Sequence, residues 1–267
     1  MSYTDIEYEV RGNAAIIRLN RPEKLNAFTY HTLKEIRQAV AAAVADRQVI
    51  GIIFTGNGRA FSAGLDSAVL ASVTSGETET TTSTRSTEEL PGLFSYLLQV
   101  PKPVIAAING VAAGGGLILA LMSDIRMASE DAAITTVFLK RGLIAEHGSS
   151  WILPRLVGVG KALDLLWASD KISAEEAHAL GLVERVVAPD SLLDDAVAYI
   201  EKLAVTSAPA AIAETKRLVY SHLGKGFEEA LQEAEIAQNE FVARDDAREG
   251  AMALIEKRVP EFQRLGD

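Results

Sequence analysis

The sequence predicts an α/β fold, and three observations support this prediction. Short aliphatic runs occur at residues 14–19, 49–55 and 104–108. Each run is closed by asparagine, glycine or proline, which is typical of a buried strand that ends in a turn. Apolar side chains then recur at helical spacing over residues 29–45. Because strands that alternate with helices are typical of a parallel sheet, we expect α/β architecture.

The first half of the chain supplies three strands and one helix. Ala14–Leu19 is the first predicted strand and ends in the turn-like Asn20–Pro22. Apolar positions three and four residues apart predict an amphipathic helix from Thr29 to about Ala45. Val49–Thr55 and Val104–Ile108 are the next two predicted strands, and both end at an Asn or Gly turn.

The second half is predicted to be mostly helical. Ser173 and Glu176 have the spacing of a capping box, and Gly181 stands where that helix should end. Leu182–Val187 is predicted as a strand. Helical segments follow at about 190–204, 209–222 and 227–264. We therefore divide the chain into an α/β core, residues 1–200, and a C-terminal helical region, residues 201–267.

Composition excludes several classes of function. The 267 residues include 26 basic and 36 acidic side chains, a formal charge of −10, which argues against a nucleic-acid partner. There are no cysteines, and the first ten residues have no apolar core typical of a signal peptide. Residues 104–122 are uncharged, but Asn109 and four glycines interrupt them, so no membrane span is predicted. We expect a soluble, cytoplasmic protein.

One segment between the second and third strands has an unusual composition. From Ser72 to Thr87, 11 of 16 residues are serine or threonine. Such a run buries too little apolar surface to offset its ordering entropy, so it is predicted to be a mobile surface loop. The alternative is a lid over a pocket.

The commonest catalytic motifs are absent from the sequence. There is no phosphate-binding P-loop, no nucleophile elbow and no zinc-protease helix. Three of the four histidines (His31, His178 and His222) fall in predicted helices without suitably spaced partners, so no metal site is expected.

Two glycine segments are the best candidates for chemistry. Phe61–Asp66 and Gly110–Gly116 each follow a predicted strand, and the second opens an apolar helix at Leu117. Glycines at a helix start leave backbone N–H groups unpaired, where they can hold an oxyanion. Such a donor contributes roughly 3 kcal/mol to a transition state. The alternative for either segment is a tightly packed turn.

Eight segments together resemble the enoyl-CoA hydratase/isomerase (crotonase) superfamily, in order and over nearly the whole chain outside the Ser/Thr-rich run. They are Asn20–Ala27, Phe61–Asp66, Pro101–Gly110 with Gly114–Gly116, Ser123–Arg126, Leu153–Gly158, Ile172–Ala177, Gly181–Val183 and Arg248–Arg258. The resemblance implies a spiral of ββα units with two nearly perpendicular sheets. It also implies a C-terminal helical trimerisation region, and therefore a homotrimer or a dimer of trimers.

The same resemblance implies an acyl-CoA thioester substrate, with coenzyme A entering as part of that substrate and no separate cofactor. The backbone N–H groups of Leu65 and Gly115 would bind the thioester oxygen. Among the cations, Arg21, Lys24, Arg59 and Lys257 are candidates for the CoA phosphates. The CoA channel and substrate pocket would be lined by Lys24, Leu25, Ala27, Ala63, Asp66, Gly114, Phe138 and Lys257.

The residues that select the reaction depart from the hydratase pattern. That branch of the family carries two glutamates, at positions occupied here by Ile118 and Phe138. Glu146 matches an aspartate of some isomerases in the family, and one carboxylate is enough for a 1,3-proton shift. Burial near Phe138 or Trp151 would raise its pKa. The alternative is that Glu146 merely stabilises the start of the helix entered at Ser149.

The sequence therefore predicts double-bond isomerisation of an enoyl-CoA, with Glu146 as the proton shuttle. Two alternatives stay open. One is an enoyl-CoA hydratase in which Glu146 is the sole acid–base group, aided or not by His147. The other is a non-catalytic acyl-CoA-binding protein. A dehalogenase- or hydrolase-like reaction with Glu146 as the nucleophile is less favoured, because no further partners for it are identified in the sequence.

Overall fold

The computed structural model describes residues 3–75 and 90–266. Within them the strands are β1 (Ile6–Arg11), β2 (Ala14–Leu19), β3 (Gly51–Gly56), β4 (Ala60–Ser62), β5 (Val104–Ile108), β6 (Val111–Ala113), β7 (Ile125–Ser129), β8 (Ala133–Thr135), β9 (Ile172–Ser173) and β10 (Arg185–Val187). The α-helices are α1 (Tyr30–Ala45), α2 (Ser67–Thr74), α3 (Gly115–Leu121), α4 (Ser149–Val157), α5 (Val159–Ala168), α6 (Ala174–Ala179), α7 (Leu192–Thr206), α8 (Pro209–His222), α9 (Phe227–Val242) and α10 (Asp245–Glu256).

The strands form two sheets. A six-stranded sheet has the order β1-β2-β3-β5-β7-β10, and a four-stranded sheet has the order β4-β6-β8-β9. Neighbours in the large sheet are parallel from β2 to β10, with β1 antiparallel at one edge. In the small sheet β4, β6 and β8 are parallel, and β9 is antiparallel to β8.

The chain passes repeatedly from one sheet to the other. Each of β3, β5 and β7 lies in the large sheet and is followed within a few residues by a short strand of the small sheet. A helix follows each of the first two short strands, α2 after β4 and α3 after β6, and the next strand of the large sheet comes after it in the sequence. This repeat confirms the predicted spiral of ββα units.

Most predicted elements are present, with shifted ends. Helix α1 has the predicted length, and the Thr29 hydroxyl accepts from the Thr32 N–H at 3.1 Å as its N-cap. The predicted strand at 182–187 is wrong over its first half, because Leu182 and Val183 turn into the core and pairing begins only at Arg185. In the predicted loop at 72–87, residues 72–74 are helical, as the last turn of α2; residues 76–87 lie outside the described residues.

Two apolar clusters fill the interior. The larger includes residues of both sheets, one face of α1, and the apolar residues of α3, a helix whose seven residues are all buried. The smaller lies on the other face of the large sheet, where alternate residues such as Ile53 and Ile105 pack against Ala196 and Ile200 of α7. Because parallel strands are buried on both faces, their sequences are continuous apolar runs rather than alternating ones.

The C-terminal helices extend beyond the sheets. Helix α9 packs on α8, and α10 packs on α9. In the described residues no single helix is long and apolar enough to cross a membrane; only α7 and α8 together pass that test, and they are bent by 111°.

A nearly buried ion pair joins α8 to the large sheet where the central strands β5 and β7 begin. The Lys216 Nζ lies 2.7 Å from the Asp124 carboxylate, and the Tyr220 hydroxyl donates to the same carboxylate at 2.9 Å. Asp124 also accepts from the backbone N–H of Val104, the first residue of β5, at 2.7 Å. Burial lowers the pKa of Lys216, and Asp124 opposes that shift. The Ser123–Arg126 motif therefore has a structural role.

We expect Asp124→Ala to lower the free energy of unfolding by about 3–5 kcal/mol, because it leaves the Lys216 ammonium buried without a counter-charge. Urea unfolding measures this loss, and adding Lys216→Met should restore part of it. Asp170→Ala, which removes the exposed pair with Lys140, is the control and should cost at most about 1 kcal/mol. Equal losses for Asp124→Ala and Asp170→Ala would contradict this interpretation.

Candidate active site

Two backbone segments pair side by side at one end of the sheets. The Ala63 N–H donates to Leu25 O at 2.9 Å, and the Phe28 N–H donates to Gly64 O at 2.7 Å. The Asp66 N–H then donates to Phe28 O at 2.9 Å. These bonds bring together the residues that the sequence assigned to the CoA channel on both segments, among them Leu25, Ala63 and Asp66.

The second glycine turn lies directly against the first. A Cβ on Gly64 would be 2.8 Å from Ala113 O and from Gly115 N, and the φ of Gly64 is +92°. A Cβ on Gly116 would be 2.2 Å from Ser62 O. Only glycine permits such an approach of backbone to backbone, so these glycines set the distance between the turns.

Two backbone N–H groups at this contact are unused. Within residues 3–75 and 90–266, neither the N–H of Leu65 nor that of Gly115 has a hydrogen-bond acceptor. They are close neighbours, because a Cβ on Gly115 would lie 3.5 Å from Leu65 N. Gly115 is also the first residue of α3, where an N–H has no partner inside the helix. The site therefore holds two free donors side by side.

The loop that carries Leu25 and Ala27 is held by buried polar side chains. Leu25 and Asn26 have φ values of 51° and 55°, in the left-handed region that is costly for residues with a side chain. The Asn26 amide donates to Asn57 O at 2.9 Å and Ala60 O at 2.7 Å, and the Ser62 hydroxyl donates to Asn26 O at 2.8 Å. Asn26 and Ser62 were not assigned a role from sequence, although both stand inside the family motifs.

Arg21, a predicted candidate for the CoA phosphates, is instead bonded to other residues of the protein. Its guanidinium donates to Ala27 O and, at 3.2 Å, to the Asp66 carboxylate, and it lies 3.8 Å from Asp5. The backbone N–H of Ala68 and the Arg21 guanidinium hold the pKa of Asp66 below its ordinary value. Lys24, at the end of a 3₁₀ turn beside this loop, is exposed.

The two positions that carry glutamates in the hydratase branch are apolar and buried. Ile118 is fully buried in α3, and Phe138 is 4% exposed. The Phe138 ring lies 4.0 Å from the Cβ position of Gly114, and the Val137 side chain lies 3.3 Å from it. Phe138 therefore lies against the second glycine turn, and neither Ile118 nor Phe138 can transfer a proton.

Glu146 carries the one partly buried carboxylate on the turn before α4. His147 and Gly148 have φ values of 51° and 85°, which turn the chain sharply after Glu146. The Glu146 side chain is 30% exposed and accepts no hydrogen bond from the described residues; the His147 Nε2 lies 3.8 Å away. Burial raises the pKa of Glu146.

Glu146 contacts the start of α4, its alternative role, through its backbone and not through its carboxylate. Its backbone carbonyl accepts from the Ser149 N–H at 2.9 Å and the Ser149 hydroxyl at 2.7 Å. The N-cap of α4 is Gly148, and no side chain caps the helix. The carboxylate therefore makes no capping hydrogen bond.

Lys257 stands apart from the loops just described. It is exposed and follows α10 with a φ of 56°, and no hydrogen bond or ion pair in the described part of the chain joins it to residues 21–28 or 61–66. Among the same described residues, no group of three or more histidine, aspartate or glutamate side chains is arranged to hold a metal ion.

Comparisons with known proteins agree on one family. The sequence model of the enoyl-CoA hydratase/isomerase family matches residues 9–264. A probable enoyl-CoA hydratase of Mycobacterium tuberculosis (strain ATCC 25618 / H37Rv) is 38% identical over 257 residues, covering 94% of this chain and 90% of that protein. A putative enoyl-CoA hydratase of Thermus thermophilus is 37% identical over 252 residues, covering 94% and 98%.

Solved structures give the same result. The crystal structure of enoyl-CoA hydratase from Mycobacterium tuberculosis H37Rv superposes with a TM-score of 0.87 and 31% identity, covering 97% of this chain and 98% of that one. The enoyl-CoA hydratase structure from Bacillus anthracis gives a TM-score of 0.85 and 30% identity, covering 97% and 99%. With the family model matching nearly its whole length, the chain belongs to the enoyl-CoA hydratase/isomerase family.

Proposed function

We propose that this protein is an enoyl-CoA isomerase, which moves the double bond of a 3-enoyl-CoA to the 2-position. The observation that carries the proposal is the pair of adjacent N–H groups of Leu65 and Gly115, neither of which has an acceptor among the described residues. The candidate acid–base group is a single carboxylate, that of Glu146. The thioester oxygen would accept from both amides.

The two amides would make the proton at C2 removable. When C2 loses its proton, negative charge moves onto the thioester oxygen, and two hydrogen bonds to that oxygen lower the energy of the enolate. The Glu146 carboxylate takes the C2 proton, and the electron pair of the broken C2–H bond, held in the enolate, becomes the C2=C3 double bond. The C3=C4 electron pair forms the new C4–H bond with the proton that the same carboxyl group returns. Atoms and charge balance without water or any further cofactor.

Burial suits Glu146 to this shuttle. A carboxylate with an ordinary pKa is a weak base, and desolvation strengthens it by disfavouring the charged form. The burial that raises the pKa of Glu146 therefore raises its basicity toward the working pH. Addition of water would normally use a second proton-transferring group to hold the water, and Ile118 and Phe138 provide none.

Hydration of a 2-enoyl-CoA is the second candidate, and one contact favours it. The His147 Nε2 lies 3.8 Å from the Glu146 carboxylate, so the two side chains form a pair that can hold a water between or beside them. The relatives compared above also carry the name enoyl-CoA hydratase. In that reaction Glu146 would take a proton from the water as the water oxygen adds to C3, and would then give that proton to C2.

The remaining parts of the proposal concern coenzyme A and assembly. Lys24, Leu25, Ala27 and Ala63 would line the CoA channel, with Asp66 held beside them by Arg21, and Gly114 and Phe138 would lie along the acyl side. Lys257 would reach the CoA phosphates of its own or a neighbouring subunit. A homotrimer or dimer of trimers is supported by large apolar side chains left exposed on α9 and α10, namely Phe227, Ile236, Leu254 and Ile255.

We expect Glu146→Gln to lower the kcat for conversion of a 3-enoyl-CoA to its 2-enoyl isomer by about 10²–10⁴-fold, the usual contribution of a general base. Its affinity for saturated butyryl-CoA should stay within about twofold, because glutamine keeps the shape of the side chain. Glu175→Gln, on the exposed face of α6, is the matched control. Unchanged turnover in Glu146→Gln would remove Glu146 from the mechanism.

The same assay separates the candidates. A wild-type protein that forms 3-hydroxyacyl-CoA from a 2-enoyl-CoA, and does not interconvert the enoyl isomers, is a hydratase. Tight binding of CoA thioesters with neither reaction indicates the non-catalytic alternative.

The raised pKa of Glu146 also predicts a pH-dependent effect on stability. A carboxyl whose pKa is higher in the folded state favours folding when protonated, and this contribution is lost as the pH rises through the folded-state pKa. Glu146→Gln removes the penalty of the buried charge, so its melting temperature should exceed that of the wild type at pH 8. The two should converge toward pH 4. A lower melting temperature for Glu146→Gln at pH 8 would show instead that the carboxylate has a stabilising partner.

A further inference from the structure

A cavity borders the turn that carries Glu146, with Gly148 and Trp151 on its wall. Its volume is about 900 Å³, at the upper end of the usual range for small-molecule sites. It is bordered by the 3₁₀ segment Ser95–Gln99, the end of α3, the start of α4, and the helices α8 and α9. Its walls include the apolar side chains of Leu98, Met122, Trp151, Ala213 and Phe241.

Helix α3 runs from one of the two amides to this cavity, and the turn that carries Glu146 borders the cavity. Gly115 is the first residue of α3, and Met122, immediately after its last residue, lines the cavity. Seven residues at 1.5 Å each separate the two ends by about 10 Å. Gly148, two residues after Glu146, also lines the cavity, and a Cβ there would be 2.9 Å from Met122 Cε.

The charged groups on the cavity wall are already paired within the protein. Arg217 is bonded to Glu214 and Glu233, and Arg244 is bonded to Glu240. Lys216 is bonded to Asp124, and the Tyr220 hydroxyl donates to the same carboxylate. A charged ligand would have to break one of these pairs, whereas a hydrocarbon occupant gains the apolar wall without doing so.

We propose that this cavity receives the distal hydrocarbon of the acyl group, so that the substrates are thioesters with a long or bulky apolar acyl chain. The inference rests on the proposed acyl-CoA function. With the thioester at Leu65 and Gly115 and the reacting carbons beside Glu146, the rest of the chain follows α3 toward Met122 and Trp151. A four-carbon acyl group ends before the cavity, and a longer one fills it.

Binding of saturated acyl-CoAs from C4 to C12 tests this, because saturated chains do not react and the result is independent of the isomerase proposal. Each methylene that enters an apolar cavity strengthens binding by about fourfold. Isothermal titration should therefore show C12 bound at least about 10²-fold more tightly than C4. A wild-type affinity that does not change with chain length would overturn the proposal.

Two phenylalanine substitutions on α8 make the test specific. Ala213 lines this cavity, whereas Ala211 lines a separate cavity of about 550 Å³ against α7. Ala213→Phe should bring the C12 affinity to within about threefold of that variant's own C4 affinity. Ala211→Phe adds the same ring to the same helix and should keep the wild-type dependence on chain length.

The outcomes are decisive in each case. If Ala213→Phe is folded and its affinity still depends on chain length as in the wild type, the acyl chain binds elsewhere and the proposal is overturned. The proposal is also overturned if Ala211→Phe loses the chain-length dependence as much as Ala213→Phe does. If circular dichroism shows Ala213→Phe unfolded, Ala210→Phe on the same cavity wall replaces it. If saturated chains bind with the predicted dependence but no enoyl-CoA is turned over, the cavity assignment stands and the isomerase proposal fails.

Discussion

The structure depends on one close contact, in which the backbones of two glycine turns meet without side chains between them. Gly64 lies so close to Gly115 N that a Cβ on residue 64 would clash with that nitrogen. Gly116 likewise lies close to Ser62 O, and a Cβ on residue 116 would clash with that oxygen. This contact places the N–H of Leu65 beside that of Gly115, and neither has an acceptor among residues 3–75 and 90–266. Every functional statement about the chain depends on this arrangement being rigid.

The surrounding residues supply that rigidity. Asn26 bridges Asn57 and Ala60, and Arg21 joins the Asp66 carboxylate to the carbonyl of Ala27. The left-handed Leu25 and Asn26 are kept in place by these bonds, which offset the cost of their conformation. The polar residues of the family motifs therefore hold the loops in position, and the donors that the loops present belong to the backbone.

Periodicity predicted the strands and helices that depend on local pattern. Helix α1 and the parallel strands β2, β3 and β5 have apolar patterns that local sequence specifies, so they were predicted close to their observed ends. Strand β10 was predicted too long, because Leu182 and Val183 are apolar for packing rather than for pairing. The short strands β4, β6 and β8 have three residues each, which is too few for a pattern to identify.

The site was predicted in part, and the reason lies in what a sequence encodes. The glycine turns and Glu146 stand out as residue types at unusual positions. The role of Arg21 could not be predicted, because the sequence does not distinguish an arginine exposed on the surface from one that is bonded to Asp66 in the folded protein. The cavity beside the Glu146 turn is lined by residues from Leu90 to Leu265, which are 175 residues apart in the sequence, and only tertiary packing brings them together.

The most direct test of the central claim is the infrared carbonyl stretch of a ¹³C-labelled butyryl-CoA thioester bound to the protein. Donation from both amides polarises the C=O bond, so the stretch should fall to a lower frequency on binding. Gly115→Ala keeps the N–H, with Cβ contacts of 3.4–3.6 Å, and should retain the shift. Gly115→Pro removes the N–H at a helix position that tolerates proline and should lose part of it. A carbonyl frequency equal to that in water, or a full shift in folded Gly115→Pro, would contradict the account.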